Sequence, residues 1–198
     1  MSQEARSEDA ARAFIALDPD PRTRELLTER MAAVRALPGL PRLRWVVPND
    51  LHVTLKFLGD TPRERIAGIE AALGPIAAAA TAPCFRRAIF EAFPRLDRAN
   101  VLVFELDDEG PCAQLAAAVE DAAFGLGFPR EGRRYRPHVT MARARPPCDV
   151  RFAAAAMPPI DLGRVPFTSM TLYESRTPPQ GAQTRERYTP LVRFALGG

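Results

Sequence analysis

The chain contains only two histidines, and both stand in the tripeptide His-Val-Thr. His52 and Thr54 lie in LHVTLKFLG, whereas His138 and Thr140 lie in RPHVTMARAR. A lone histidine beside apolar residues is most often a structural residue, but two copies of one pattern make coincidence the weaker interpretation. An imidazole has an unperturbed pKa of about 6.5, so near neutral pH one ring can accept a proton while another donates one. The pair therefore indicates general acid–base chemistry.

Each histidine is followed two positions later by a threonine, which matters if the segments are strands. Successive side chains of a strand point to opposite faces, so His52, Thr54 and Lys56 are predicted to share one face. Val53, Leu55 and Phe57 are predicted to point into the core. The same count puts His138 and Thr140 on one face. A phosphodiester suits this set, because its cleavage needs a base, an acid in line with it and donors to the non-bridging oxygens.

A metal site is the main alternative use for two histidines. A catalytic zinc ion normally requires a third protein ligand, and neither segment offers a Cys, His or carboxylate at suitable spacing. The chain also lacks a GxSxG nucleophile motif and the GxxxxGK[ST] and GxGxxG nucleotide-binding loops. We therefore expect neither a metal nor a cofactor.

Cations concentrate around the second histidine. Two acids, Glu131 and Asp149, stand there against seven arginines, at positions 130, 133, 134, 136, 143, 145 and 151. From the charge run alone, a solvated surface and an anion-binding surface are equally good interpretations. The position around His138 favours an anionic ligand, because guanidinium groups form paired hydrogen bonds with phosphate oxygens.

Length and composition limit the class of protein. A chain of 198 residues fits one large domain or two small lobes, and 46% apolar with 26% charged residues is typical of a globular protein. The longest apolar stretches fall short of the roughly 20 residues that a bilayer span needs, and the N-terminus lacks the apolar core of a signal peptide. Three widely spaced cysteines without a CxxC pair suggest reduced thiols. We expect a cytoplasmic monomer that does not enter a membrane.

The elements that position the histidines can be read from the hydrophobic pattern. After a flexible tail, predicted for residues 1–11, the pattern predicts a strand at 13–18, a helix at 21–37 after the DPDP turn, and a second helix that starts with Thr61 as N-cap and Pro62 at its first position. Two strands joined by PRLDRA, a helix after Gly110 and three later strands follow. This order predicts an α+β fold with mainly antiparallel sheets, arranged as one two-lobed domain over residues 1–198.

Paired HxTx motifs resemble the signature of the 2H phosphoesterase superfamily. The chain is most similar to the RNA 2',3'-cyclic phosphodiesterases, also called 2'-5' RNA ligases, in the segments RAFIALD, LHVTLKFLG, RPHVTMARAR, LYESR and RYTPLVRFAL. The resemblance implies a bilobal fold, with two antiparallel sheets and flanking helices around a central cleft, and no required metal or nucleotide cofactor. It implies that the partner is RNA with a 2',3'-cyclic phosphate end, hydrolysed to a 2'-phosphate. It also implies a related ATP-independent transfer, in which an RNA 5'-hydroxyl replaces water and a 2'-5' linkage forms.

The resemblance also implies roles for individual residues. His52 would be the general acid that protonates the leaving 3'-oxygen, and His138 the base that activates water, while Thr54 and Thr140 would hold the phosphate. Arg143 matches an arginine that follows HxTxA in many relatives and would face the phosphate, although simple strand alternation points it away from His138. Phe14 and Tyr173 could stack on a base, but core packing is the favoured interpretation for both.

Two other functions fit the same motifs. One is a module that binds nucleotides or RNA ends without turning them over, and the other is a phosphodiesterase that acts on 2'-5' oligonucleotides or another small cyclic phosphate. Retention of the ligand without product would indicate the first, and product analysis would identify the second.

Overall fold

The fold is an antiparallel sheet with helices packed on one face, as seen in a computed structural model that describes residues 9–108, 110–176 and 186–197. Its strands are β1 (Ala10–Asp18), β2 (Arg44–Trp45), β3 (Val53–Pro62), β4 (Cys84–Phe93), β5 (Ala99–Leu106), β6 (His138–Cys148), β7 (Ile160–Pro166), β8 (Ser169–Ser175) and β9 (Tyr188–Ala195). Its helices are α1 (Pro21–Arg35), α2 (Ile66–Ala79), α3 (Pro111–Gly125) and α4 (Arg151–Ala156). The predicted α+β class is confirmed.

The sheet consists of two four-stranded halves. Its strand order is β7-β4-β5-β6-β3-β1-β8-β9, and β2 pairs with β6 beside this path. The two halves meet between β3 and β6 through one residue pair, Val53 with Val139. The two sheets expected from the sequence are therefore two halves of one continuous sheet, joined at a single point.

Helix starts show where local signals decide the structure and where they do not. Asp20 caps α1 as predicted, because its Oδ1 accepts the backbone N–H of Thr23 at 2.8 Å and Pro21 opens the helix. Thr61 and Pro62 were predicted to start the second helix, and this is wrong. Both residues end β3 by pairing with β1, and α2 begins only after a 3₁₀ turn at Arg63–Arg65.

The main core lies between the helices and one face of the sheet. It joins apolar residues of α1, α2, α3 and α4 to those sheet residues that point toward them, such as Ile15, Val53 and Val139. A separate small cluster of Phe14, Ala16 and Tyr173 lies on the opposite face. The two faces of the sheet are therefore distinct: one is covered by helices, and we call the other the open face.

Several sequence predictions need correction at the edges of elements. The tail was expected to reach residue 11, but β1 already includes Ala10 and Ala11, and Ala11 is fully buried. Residues 1–8 and most of the polar loop predicted before the last strand, 177–185, lie outside the described residues. The sequence pattern also missed β7 and α4, which are short elements that depend on their neighbours.

Candidate active site

The two His-Val-Thr segments meet where the halves of the sheet join. Because Val53 pairs with Val139 in an antiparallel ladder, the same register places His52 opposite Thr140 and Thr54 opposite His138. Val53 and Val139 are fully buried on the core face, so these four polar residues share the open face. Directly opposed side chains have Cβ atoms about 4.5–5.5 Å apart. The structure therefore brings both predicted histidines and both predicted threonines together.

Both imidazole rings are oriented by the same backbone contact. The Nδ1 atom of His52 lies 2.7 Å from the carbonyl oxygen of Asp50, and the Nδ1 atom of His138 lies 2.7 Å from that of Arg136. A carbonyl oxygen can only accept a hydrogen bond, so Nδ1 carries a proton in each ring. Proton exchange is thereby confined to the Nε2 atoms, and the orientation of each ring does not depend on its charge.

The turn that precedes β3 positions His52. It is a 3₁₀ turn at Pro48–Asp50, and the Asp50 carboxylate accepts the backbone N–H of Arg187 at 3.0 Å. Arg24 of α1 donates to the Pro48 carbonyl at 2.7 Å from the other side. These contacts hold the Asp50 carbonyl, and therefore the His52 ring, in place. Burial raises the pKa of Asp50 above its ordinary value.

Aromatic residues surround His52. The rings of Phe14 and Tyr188 each have their centroid 5.0 Å from the His52 ring, and Phe14 stacks on Tyr173 at 5.3 Å. Phe14 and Tyr173 are buried, so core packing beneath the histidine describes them better than base stacking. The Tyr173 hydroxyl donates to Asp18 at 2.6 Å, which places a buried carboxylate near His52.

His138 has corresponding neighbours in the other half of the sheet. The Phe93 ring lies edge-on at 5.0 Å, and Glu105 is the cross-strand partner of His138. Glu105 binds the guanidinium of Arg136, with Nε at 2.9 Å, and that guanidinium also stacks on Phe93. Phe93 and Glu105 have no motif of their own, so sequence reasoning missed them, whereas Arg136 belongs to the predicted basic run.

Both histidines are neutral at pH 7 in this structure. Burial lowers the pKa of His52 to about 4, although the neighbouring Asp18 and the Asp50 carbonyl act in the opposite direction. Burial also lowers the pKa of His138. The Thr54 hydroxyl lies 3.1 Å from Nε2 of His52 and can donate to this nitrogen while the ring is neutral.

A β-bulge in β3 changes which residues share the face of His52. Ala16 of β1 pairs with Thr54 and the preceding Ile15 pairs with Lys56, so Leu55 is an extra residue in β3. Lys56 was predicted on the face of His52, and this is wrong: it lies on the core face with Ile15. Phe57 was predicted in the core, but it pairs with Phe14 on the open face and is 67% exposed.

Lys56 is a structural residue. Its ammonium group donates to Glu120 of α3 at 3.0 Å and to the carbonyl of Pro129 at 2.7 Å, and only 4% of its side chain is exposed. The single lysine of the chain therefore connects the sheet to α3 rather than to a ligand.

A second bulge, at the matching place in β6, brings Arg143 into the site. Val103 of β5 pairs with Thr140 and the preceding Leu102 pairs with Ala142, so Met141 is the extra residue. The regular alternation of β5 places Val101 and Val103 on one face, so their partners Arg143 and Thr140 share the open face. The simple count that pointed Arg143 away from His138 is wrong. The Arg143 charge lies near enough to lower the pKa of both histidines.

The two bulges make the segments matching halves of one site. Leu55 and Met141 each stand three residues after their histidine, and each bulge moves the fifth residue onto the open face. That residue is Phe57 in the first segment and Arg143 in the second. The site is therefore symmetric in its histidines and threonines, but it offers an aromatic ring on one side and a cation on the other.

Much of the predicted basic run serves structure instead. Four of its arginines form ion pairs with nearby acids: Arg130 with Asp121, Arg133 with Glu131, Arg136 with Glu105, and Arg151 with Asp149. Arg134, Arg143 and Arg145 are also exposed and form no such ion pair within the described residues. The part of the run that faces the site is thus smaller than the sequence suggested.

The described residues offer neither a metal-binding cluster nor a membrane-spanning helix. No group of three or more His, Cys, Asp or Glu side chains within them is arranged to hold a metal ion. None of their helices combines the length and the apolar character needed to cross a bilayer.

A sheet that presents two His-x-Thr segments side by side on one face, with both Nδ1 atoms held by carbonyls, has the arrangement of a two-histidine (2H) phosphoesterase. The family model described as LigT-like phosphoesterase matches residues 17–103. An RNA 2',3'-cyclic phosphodiesterase of Thermus thermophilus is 30% identical over 94% of this chain and 91% of its own length, and one of Escherichia coli K12 is 31% identical over 77% and 80%. The chain therefore belongs to the LigT-like phosphoesterase family of the 2H superfamily.

The fold agrees with this family. The crystal structure of E. coli LigT complexed with 3'-AMP superposes with a TM-score of 0.71 at 26% identity, covering 96% of this chain and 99% of that one. The resemblance to this family that the paired motifs indicated is therefore confirmed.

Proposed function

We propose that this enzyme hydrolyses RNA 2',3'-cyclic phosphate ends to 2'-phosphates by two-histidine acid–base catalysis. The observation that carries the proposal is the register of Val53 with Val139, which places His52 and His138 on the same face beside the junction, each with Nδ1 bound to a carbonyl. The relatives named RNA 2',3'-cyclic phosphodiesterase and the 3'-AMP complex of E. coli LigT support the substrate class.

The reaction needs one proton removed and one delivered. In the proposed mechanism, Nε2 of neutral His138 accepts a proton from water as the water oxygen attacks phosphorus. The bond from phosphorus to the 3'-oxygen breaks, and Nε2–H of protonated His52 donates its proton to that oxygen. The products are a 2'-phosphate and a free 3'-hydroxyl. His138 ends protonated and His52 ends neutral. The same groups would serve if an RNA 5'-hydroxyl replaced water, which would give a 2'-5' linkage.

The acid role of His52 requires that the substrate raise its pKa. Burial holds this pKa at about 4 in the free protein, so His52 must gain its proton together with the anionic phosphate. The assignment of acid to His52 and base to His138 rests on the resemblance to the family, because each ring has one carboxylate nearby, Asp18 for His52 and Glu105 for His138. When a phosphate enters, the hydroxyl of Thr54 can donate to a phosphate oxygen instead of to Nε2 of His52.

The remaining residues of the open face suit the two ends of a nucleotide. In the proposed complex Thr54 and Thr140 donate to the non-bridging oxygens, and Arg143 stabilises the charge that develops on them. Phe57 offers its exposed ring to the base, because every base has a π face that can stack on an aromatic side chain. The substrate would therefore lie with its base toward the first half of the sheet.

The experiment that tests the function is product analysis on an RNA oligonucleotide with a 2',3'-cyclic phosphate end. Phosphorus NMR should show a 2'-phosphate and no 3'-phosphate. His52→Ala and His138→Ala should each abolish turnover while their circular dichroism spectra match the wild type.

Other outcomes would identify the alternatives. Retention of the RNA without product would indicate a binding module, and cleavage restricted to 2'-5' linked oligonucleotides would indicate a different phosphodiesterase. Treatment with EDTA should leave the rate unchanged. Loss of activity that zinc restores would contradict catalysis by the two histidines alone.

We also propose that residues 1–198 act as one two-lobed domain, as a monomer in the cytoplasm. The single junction at Val53 and Val139 supports two lobes, and the three free cysteines agree with a reducing compartment. Sedimentation equilibrium of the purified protein tests the monomer, and fractionation of the source cells tests the compartment.

A further inference from the structure

A second arginine lies beside Arg143 on the open face. The short strand β2 pairs with the outer part of β6, which places Arg44 directly opposite Arg143 and Trp45 opposite Ala142. Trp45 packs against the main core, where Arg35 of α1 lies 6.0 Å from its ring. Because neighbouring residues of a strand point to opposite faces, Arg44 must point to the open face.

This pair of cations has no evident structural purpose. Like charges that face each other across two strands destabilise a sheet. Arg44 and Arg143 are both exposed, and neither forms an ion pair with an acid of the described residues. Four arginines of the neighbouring run do have such partners. An arrangement of this kind is stabilised when an anion binds between or along the two guanidinium groups.

The two arginines differ in how they act on the histidines. The charge of Arg143 acts on both histidines, which places it beside the proposed site of the cyclic phosphate. Arg44 lies on β2, which pairs with the same edge of β6 as β3 does, and it is not among the main charges that act on either ring. A single cyclic phosphate therefore leaves Arg44 available for another anion.

We propose that Arg44 binds the phosphodiester that joins the terminal nucleotide of the RNA to the nucleotide before it. This inference rests on the proposed function, because it assumes a cyclic phosphate between the histidines and Arg143. The upstream phosphodiester is the next anion along such a strand. With the base over Phe57 in the first half of the sheet, the chain would continue over the second half, where β2 and β6 carry the two arginines. Arg44 is then a specificity residue that favours RNA ends over free cyclic mononucleotides.

The test compares two substrates that differ only in this phosphate. The first is adenosine 2',3'-cyclic phosphate, and the second is a dinucleotide that ends in the same group. For Arg44→Gln the KM of the dinucleotide should rise about tenfold, while its kcat stays within about twofold. The KM and kcat of the mononucleotide should both stay within about twofold. The slope of log KM against log salt should also fall by about 0.7 for the dinucleotide, as expected on loss of one contact to a single strand.

Control variants separate a local contact from a general charge effect. Arg44→Lys keeps the charge and should recover most of the dinucleotide KM. Arg164→Gln removes an exposed arginine from β7, the strand at the far edge of the second half, and should change neither substrate. A dinucleotide carrying an uncharged methylphosphonate in place of the upstream phosphodiester should give the same KM with the wild type and with Arg44→Gln.

The failures are distinguishable. If the wild type hydrolyses neither substrate, the proposed function is wrong. If it hydrolyses both and Arg44→Gln raises the two KM values equally, Arg44 binds the cyclic phosphate and this inference is overturned. If Arg44→Gln changes neither KM, Arg44 binds no part of the substrate.

Discussion

The hydroxyl of Tyr135 donates a hydrogen bond to the backbone carbonyl of Thr54, 3.2 Å away. Tyr135 stands three residues before His138, and Thr54 stands two residues after His52, so this bond links the two motifs across the junction of the sheet. Burial raises the pKa of Tyr135 well above its ordinary value, and the hydroxyl therefore keeps its proton. The Sγ atom of Cys112 in α3 lies 3.4 Å from the same hydroxyl.

Replacing Tyr135 by Phe should lower kcat by about tenfold and leave KM within about threefold. The variant loses the link that sets the distance between the histidines, whereas the groups that bind the substrate remain. The loss of one hydrogen bond should reduce the free energy of unfolding by about 1 kcal/mol. Steady-state kinetics and urea denaturation measure the two effects.

Cys112→Ala is the matched control for Tyr135→Phe. It removes the sulfur contact but keeps the bond from Tyr135 to Thr54, so its kcat should remain near that of the wild type. An equal loss of kcat in both variants would mean that packing against α3, and not the bond between the motifs, positions the site.

The stability of the protein should depend on pH through the histidines. In the folded state the pKa of His52 is about 4, whereas in the unfolded chain it is about 6.5. Between these values the unfolded state binds more protons, so the contribution of His52 to stability is present above pH 6.5 and declines as the pH falls toward 4. His138, whose pKa is also lowered, acts in the same direction.

His52→Asn should make this pH dependence shallower. The asparagine amide can still donate to the Asp50 carbonyl but does not titrate. Urea denaturation at pH 7 and pH 5 should therefore show a smaller loss of stability for the variant than for the wild type. Equal losses would place the pKa of folded His52 near its ordinary value.

Lys56→Met should destabilise the fold by about 3 kcal/mol, because it leaves the Pro129 carbonyl unpaired and the Glu120 carboxylate with only the backbone N–H of Glu131. Turnover of a cyclic nucleotide at 20 °C should not change, since Lys56 lies on the core face. Thermal denaturation and kcat/KM on the same sample measure the two effects. A lowered kcat/KM with unchanged stability would mean that Lys56 lies on the same face as His52, near the substrate.

The double variant Lys56→Met with Glu120→Gln provides the control. Removing the uncompensated carboxylate should recover part of the lost stability. If it recovers none, the loss comes from the Pro129 contact or from packing rather than from the ion pair.

Phe57→Ala should raise KM about tenfold, as expected when a base loses an aromatic stacking partner. The ring is 67% exposed, so stability should change by no more than about 0.5 kcal/mol. Phe124→Ala, which removes a 53% exposed ring from α3, serves as the control and should leave KM unchanged. An unchanged KM for Phe57→Ala would show that the base lies elsewhere.

Local sequence signals predicted most of the elements of this fold. The Asp20 cap and Pro21 mark the start of α1, and alternation locates β4, β5 and β6 closely. Thr61 and Pro62 show the limit of such signals, because they have the composition of a helix start but their backbones pair with β1. The hydrogen bonds of a neighbouring strand outweigh a local preference for capping.

The sequence by itself determined the proposed reacting groups of this protein. Two identical His-Val-Thr segments define the histidines, the threonines and the apolar residues that anchor them, because alternation over three residues needs no knowledge of the partner strand. Only the tertiary structure decided what surrounds them. The extra residues Leu55 and Met141 exist because β1 and β5 pair out of step with β3 and β6, and they send Lys56 into the core and bring Phe57 and Arg143 onto the open face. Such pairing depends on strands distant in the chain, so no count along one segment could have shown it.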